Sequence, residues 1–288
     1  MKRKVIVLGA SGLIGHQVSN HLRSFDEYDV HNFSFRNKVI DDTTILDARD
    51  EELFLGHIHD LKPDFIINCL GILINDANKN PENAIFLNAY LPHRVARLSD
   101  NINAKLIHIS TDCVFSGDKG ASYIESDFKD GKVVYAKTKG LGEIISNTHL
   151  TLRTSVVGPE LKKDGEELFH WFMEQNGSIS GFSKSIWSGV TTIELAKAVE
   201  WAIRKNITGL YNLTNNSTIS KYELLKLFQK HTGKNIHITC INGKKTNKSF
   251  LDTRKLLDYS IPSYDIMIFE MVGLIKAKHL IYSHYDIK

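Results

Sequence analysis

Short apolar runs alternate along this chain with stretches whose apolar residues recur every three to four positions, a pattern that predicts an α/β fold with helices on both faces of a parallel sheet. Strands are expected at Val5 to Leu8, Tyr28 to Phe35, Asp64 to Cys69, Lys105 to Ile109 and Leu150 to Thr154. Between them, Val18 and Leu22 continue an apolar face at helical spacing, Glu51 to Leu61 reads as a helix, and Pro81 to Asp100 reads as one long helix with its proline near the start. Val133 to Ile145 predicts another. Each strand ends in polar or glycine residues, and such sheets bind ligands outside the carboxyl ends of their strands. Gly9, Asn68 with Gly71, Ser110 with Thr111, and Thr154 with Ser155 therefore converge on one edge.

The pattern is less regular from about Val156. Helices are expected at Glu166 to Gln175, Thr191 to Arg204 with a threonine cap, Ser220 to His231 with Glu223 completing a capping box, and Tyr264 to His279. Short strands fit Leu210 to Leu213 and Ile236 to Ile241. The division expected is a dinucleotide-binding domain over 1–155, with about 190–215 returning to it, and a smaller substrate-binding lobe over about 156–189 and 216–288. Ile268, Met271, Val272 and Ile275 share a face of the last helix, which packs into the core or, alternatively, against a second subunit of a homodimer.

Val5-Ile-Val-Leu8 runs straight into Gly9-Ala-Ser-Gly12-Leu-Ile-Gly15, giving strand, glycine turn and helix in order. Glycines permit the tight turn and the close approach of a pyrophosphate to the positive end of the helix. Gly9, Ser11, Gly12, Leu13 and Ile14 are thus the candidate cradle, although the spacing is G-x-x-G-x-x-G and not the generic G-x-G-x-x-G. No acidic residue closes the second strand to hold the ribose 2′-hydroxyl of NAD. Ser34, Arg36, Asn37 and Lys38 stand there, and an arginine suits a 2′-phosphate, so NADP(H) is favoured and NAD(H) is the alternative.

Tyr135 and Lys139 lie four residues apart, on one face of the expected helix. Such a pair alone is an ordinary helix surface. With a dinucleotide turn upstream and Ser110-Thr111-Asp112 at a strand end, it becomes a candidate for shared proton chemistry. A free tyrosine has a pKa of roughly 10, and a neighbouring ammonium is expected to lower it toward the range useful for general acid-base work.

Composition narrows the class. The 288 residues suffice for one large domain or two modest ones, and a formal charge of +3 gives no sign of nucleic-acid binding, with no basic cluster beyond Lys244-Lys245. No apolar stretch is long enough to span a bilayer, and Met1-Lys-Arg-Lys4 passes directly into a strand, so the expected location is the cytoplasm. Cys69, Cys113 and Cys240 show no metal-ligand spacing, and their odd count opposes a disulfide framework, so reduced thiols and no metal are expected.

Taken together, Gly9 to Gly15, Asn68, Asn88-Ala89, Ser110-Thr-Asp-Cys-Val-Phe115, Tyr135-x-x-x-Lys139, Gly142-Glu143, Leu152-Arg-Thr-Ser155 and Leu251-Asp-Thr-Arg254 resemble the extended short-chain dehydrogenases/reductases. Within these, the chain is similar to the dTDP-4-dehydrorhamnose reductase group of nucleotide-sugar 4-ketoreductases. The resemblance implies a Rossmann-like doubly wound sheet with a smaller α/β lobe and NADPH-dependent reduction of a sugar C4 ketone for deoxysugar and surface-polysaccharide supply. It implies Tyr135 as proton donor, Lys139 as the residue that tunes it and holds the nicotinamide ribose, and Thr111 as a hydrogen-bond partner of the substrate oxygen. Asp47 is similar to an adenine contact, and Asn68, Gly71 and Asn88 to cofactor-side positions. Asp112, Val156 and Trp187 are the candidate substrate contacts, with core packing as the ordinary role of a tryptophan.

The chain departs from the group at Cys113, usually aromatic, at Val156, often tryptophan, and at Thr246-Asn-Lys-Ser249, where an Arg-Pro segment is common. A UDP-N-acetylated 4-keto-6-deoxy sugar is therefore an alternative to the dTDP-linked substrate. Cys113 also replaces the glutamate that related dehydratases use. A non-catalytic NADP-binding regulatory subunit is the alternative of another class; its mark would be erosion of Thr111, Tyr135 or Lys139, and all three are intact.

Overall fold

The computed structural model describes residues 2–243, 245–254 and 259–287; Met1 and Lys244 lie outside them. A seven-stranded sheet forms from β1 (Arg3–Leu8), β2 (Tyr28–Ser34), β3 (Thr44–Ile45), β4 (Phe65–Asn68), β5 (Lys105–Thr111), β6 (Leu150–Thr154) and the later strand Gly209–Asn212. From the strand Gly209–Asn212 the spatial order continues β6, β5, β4, β1, β2, β3. β1 pairs in parallel with β2 and β4, β4 with β5, and β5 with β6. All seven residues of β5 are buried, its polar Lys105, His108, Ser110 and Thr111 included, as its mid-sheet position requires. Ile6, Leu8, Phe33, Ile66 and Leu106 pack on one face with Phe54, Ile58, Leu91 and Val95 of the covering helices, and each such burial stabilises by roughly 1.5–3 kcal/mol.

The helices are α1 (Gly15–Leu22), α2 (Glu51–Leu61), α3 (Ile74–Lys79), α4 (Pro81–Ala84), α5 (Leu91–Asn101) and α6 (Val134–Leu141). The α2 bounds agree with expectation, and the Asp50 side chain caps it at Leu53 N. The single helix expected over Pro81 to Asp100 is instead three segments, with a π-helical stretch at Ile85–Tyr90 between α4 and α5. Pro92 sits in the first turn of α5 and has no N–H to donate to the Asn88 carbonyl four residues back, so the regular ladder cannot run through this point. The helix expected to reach Ile145 stops at Leu141. A Cβ on Gly142 would collide with the Asn88 carbonyl oxygen, so only glycine permits this approach of the two segments.

Two compact units emerge: Met1–Ser116, Phe128–Thr154 and Ala196–Tyr211 form the first, and Gly117–Asp127, Ser155–Leu195 and Asn212–Lys288 the second. The short segment Gly117–Asp127, unremarked in the sequence, belongs to the second, where the Gly117 carbonyl accepts from Asn247 N and Tyr123 N donates to Ser249 O. That unit contains the strands Ser178–Phe182 and His237–Ile241, paired in parallel. Its helix Lys221–Thr232 carries the expected capping box between Ser220 and Glu223. Met267, Ile268, Met271, Val272 and Ile275 of the helix Tyr264–Ala277 are all buried, which makes that face a core contact. Among the described residues no helix is long and apolar enough to cross a membrane.

Candidate active site

After β1, Gly9 turns the chain at φ 75° and Gly12 N donates to its carbonyl at 3.0 Å. A Cβ on Gly15 would strike the Gly9 carbonyl, so α1 starts pressed against the turn and only glycine fits there. Ile14 gives α1 no side-chain cap; His16 N and Val18 N donate to the Gly12 and Ile14 carbonyls at 3.2 and 3.0 Å, so the positive end of the helix faces the turn at Ser11, Leu13 and Ile14. Ser11 N donates to Ser34 Oγ at 3.1 Å, which fastens the turn to the end of β2.

At that end, the Arg36 guanidinium lies 4.7 Å from the Phe35 ring centroid and that of Arg49 lies 5.3 Å from it. Asp47 is drawn into this group: Arg49 Nη2 sits 2.6 Å from Asp47 Oδ2, and its hydrogen bonds hold the Asp47 carboxyl below the usual range. Arg49 was not singled out in the sequence because it lies two residues past Asp47 with no periodicity to mark it. It joins Arg36 as a second cation over the same ring.

Asn68 at the end of β4 is fully buried; its Oδ1 accepts from Leu70 N at 3.1 Å and its Nδ2 meets His108 Nδ1 at 3.1 Å. It therefore shapes the turn that carries Gly71. Asn88, inside the π-helical stretch, accepts from Ile72 N at 2.8 Å and donates to Ile72 O at 3.0 Å, with Thr138 Oγ1 at 3.3 Å. It ties the turn after β4 to α6. A π-helical segment at such a junction is a frequent feature of functional sites.

Tyr135 and Lys139 both lie on α6, and the Thr111 side chain at the end of β5 hydrogen-bonds the Tyr135 phenol. Thr111 is buried; its hydroxyl donates to Asp112 Oδ1 at 3.1 Å and accepts from Cys113 N at 3.1 Å. Lys139 is 5% exposed, and its Nζ donates to the Ile109 carbonyl at 2.7 Å. Burial brings this amine down to about 8, opposed by the charges of Glu143 and Cys69.

The expected lowering of the tyrosine pKa by Lys139 is not what this geometry produces. Burial pushes the Tyr135 phenol up, Cys113 and Asp112 add to that, and the bond from Thr111 is the one opposing influence. The ammonium is turned toward the β5 backbone, and desolvation of the phenolate outweighs any distant attraction. Tyr135 is accordingly held protonated at neutral pH, the form a proton donor requires.

A buried charge network joins the landmarks Ser110, Glu143 and Arg153 with Lys129, which no motif marks. Glu143, buried, accepts from Ser110 Oγ at 2.7 Å and from Arg153 Nε and Nη2 at 2.8 Å each, with Lys129 Nζ at 3.1 Å. Burial raises the Glu143 carboxyl, but Arg153, Lys129 and Ser110 outweigh it and hold the group below its ordinary value. One carboxylate thus joins the ends of α6, β5 and β6.

A model of the RmlD substrate binding domain matches residues 3–255. The chain belongs to that family. Among curated proteins it is similar to the spore coat polysaccharide biosynthesis protein SpsK of Bacillus subtilis (strain 168), with 28% identity over 235 residues and 80% of each protein covered. It is also similar to the dTDP-4-dehydrorhamnose reductase of Escherichia coli (strain K12), with 26% identity over 243 residues, 77% of this chain and 76% of that protein. Its fold matches the crystal structure of a Bacillus anthracis dTDP-4-dehydrorhamnose reductase in complex with NADP, with a TM-score of 0.83 and 23% identity, covering 95% of this chain and all of that one.

In this RmlD-family chain the remaining candidates, Val156 and Trp187, lie in the second unit. Val156 is half-buried in the two-residue strand Val156–Val157, which pairs with Val190–Thr191. Trp187 is 5% exposed, donates from Nε1 to Ser155 Oγ at 2.9 Å and packs on Tyr264 with 5.7 Å between ring centroids. This is the environment of a core tryptophan, while Trp171 is the more exposed aromatic at 37%.

Proposed function

We propose that this protein is an NADPH-dependent reductase of the C4 ketone of a nucleotide-linked 4-keto-6-deoxy sugar, serving deoxysugar supply for surface polysaccharide. The observation that carries this reading is the grouping of Thr111, Tyr135 and Lys139 at the end of β5 and on α6, in a chain of the RmlD family.

The fit of a dinucleotide rests on the glycine-packed start of α1, which carries no side-chain cap, and on the two arginines over Phe35. Gly9, Ser11, Gly12, Leu13 and Ile14 would hold the pyrophosphate, Arg36 with Arg49 a 2′-phosphate, and Asp47 the adenosine end. Asn68 and Gly71 would border the nicotinamide half, where a Cβ on Gly71 would lie 3.9 Å from Lys139 Nζ. Bound NADPH supplies the hydride. Tyr135 would donate its phenolic proton to the ketone oxygen as charge develops there, and Thr111 would turn its hydroxyl proton from Asp112 Oδ1 to the same oxygen. Lys139, its ammonium anchored on the Ile109 carbonyl, would hold the nicotinamide ribose, and Thr111 supports the phenolate left behind. Glu143 steadies this set by holding Ser110 and the end of α6.

The substrate is a dTDP-linked rhamnose precursor in the first instance. Cys113 and Val156, where the group usually has aromatic residues, favour a UDP-N-acetylated sugar as the second choice. Incubating the protein and NADPH with dTDP-, UDP- and GDP-linked 4-keto sugars, and following the loss of NADPH absorbance, tests the reading. Turnover with a dTDP or UDP substrate supports it; no oxidation with any of the three turns the assignment toward a nucleotide-binding regulatory subunit.

Two further outcomes follow from the site. Arg36→Ala with Arg49→Ala should raise the KM for NADPH roughly tenfold or more, the effect of losing charge-assisted bonds to a phosphate, and leave that for NADH nearly unchanged. Equal effects on both cofactors would remove the two arginines from phosphate recognition. Because the Lys139 amine is brought down to about 8, kcat/KM should fall as pH rises through that value and the cation is lost, and Lys139→Met should abolish this limb.

A further inference from the structure

At the amino edge of the central sheet, opposite the carboxyl ends that carry the candidate site, a second cluster gathers round Lys105. Lys105 opens β5, is 8% exposed, and its Nζ donates to Asn206 Oδ1 at 2.9 Å. Among the described residues it forms no ion pair, unlike Arg153, which is bound to Glu143. It borders a cavity of about 430 Å³, lined also by Asn103, Asn147, Thr148, Asn206 and Thr208. Asp64 lines the same cavity, where its Oδ2 accepts from Lys4 N at 2.7 Å, and no ion pair joins it to Lys105 among the described residues.

A buried amine without a counter-charge is costly to keep protonated. Burial alone pushes Lys105 down to about 8. At pH 7.5 about one such amine in four is neutral, against about one in a thousand at the ordinary value of roughly 10.4. The neutral amine is the nucleophile, and here it stands beside space large enough for a small electrophile.

We propose that Lys105 is a selective acylation site for small activated acyl donors, an acyl phosphate or an acyl thioester. The Nζ lone pair attacks the acyl carbonyl carbon and a C–N bond forms. The C–O bond of the phosphate, or the C–S bond of the thioester, breaks; phosphate or thiol leaves, and the amine proton passes to water. No oxidant or reductant is consumed. The amide product keeps one N–H for Asn206 Oδ1, and the cavity is lined by residues whose side chains can donate to its carbonyl, Asn103, Asn147 and Thr148 among them.

The test uses the intact, unmodified chain and is independent of reductase activity. Folded protein is incubated with acetyl phosphate, and separately with acetyl-coenzyme A, and acetylation is followed lysine by lysine by peptide mass spectrometry. Lys105 should be labelled at least fivefold faster at pH 7.5 than the exposed Lys62 and Lys79 with one donor or both, and the donor that works identifies the source. Between pH 8.5 and 9.5 its rate should rise by only about 1.3-fold, because an amine brought down to about 8 is already mostly neutral there. The advantage should vanish in urea. An advantage below fivefold with both donors, or one that survives unfolding, overturns the proposal.

Discussion

Replacing Tyr135 with phenylalanine should lower kcat by roughly two to four orders of magnitude while leaving NADPH binding close to that of the unaltered protein. The substitution removes one oxygen and keeps the ring, so the packing around α6 changes little. What is lost is the proton that Tyr135 would deliver to the sugar ketone, together with its bond to Thr111. Because Tyr135 is held protonated rather than ionised, the variant should lose the forward reduction without acquiring a compensating base. Steady-state turnover with the best substrate of the 4-keto sugar panel, beside fluorescence titration of NADPH, separates the two quantities. Turnover within a few-fold of the unaltered protein would remove Tyr135 from the mechanism. Loss of NADPH binding in proportion to turnover would make its role one of cofactor binding.

Replacing Glu143 with leucine should produce the largest loss of stability among substitutions near the site. It would leave Arg153, whose side chain is 2% exposed, buried without its carboxylate, and would strip Ser110 and Lys129 of their common acceptor. Breaking one side of a buried pair costs about 3–5 kcal/mol. At roughly 2–4 °C per kcal/mol for a domain of this size, Tm should fall by roughly 6–20 °C. The paired change Glu143→Leu with Arg153→Leu should recover part of that, since neither charge is then stranded. The pH dependence has a definite sign. The Glu143 carboxyl is held below its unfolded value, so its contribution is complete above the unfolded pKa of roughly 4.3 and is lost as pH falls through the folded one. Glu143→Leu should therefore flatten the acid limb of the stability profile. An unchanged Tm together with an unchanged acid limb would show the network to be without energetic consequence.

The geometry of the candidate site is legible in the residues where the signal is local. Tyr135 and Lys139 are four apart on a helix, and the glycine turn follows an apolar strand directly, so each carries its geometry in a short stretch of chain. Arg49 escaped because its place beside Arg36 depends on the path of the chain between β2 and α2. The sense of the Tyr135 shift was misread for a related reason. Spacing places an ammonium near a phenol, but only the packing says that Lys139 is turned to the Ile109 carbonyl and that the phenol is deeply desolvated.

The sequence by itself determined the alternation of strands and helices, the glycine turn, the capping box at Ser220 and the residue types of the candidate site, because each follows from periodicity or from chemistry within a few residues. The tertiary structure alone decided the break of the long helix at Asn88, the early end of α6 at Leu141, the burial of Trp187 and the gathering of Glu143, Arg153, Ser110 and Lys129 round one carboxylate. These depend on which segments meet across long stretches of chain. A proline's missing donor or a glycine's missing side chain becomes decisive only when another backbone comes close enough to use the space.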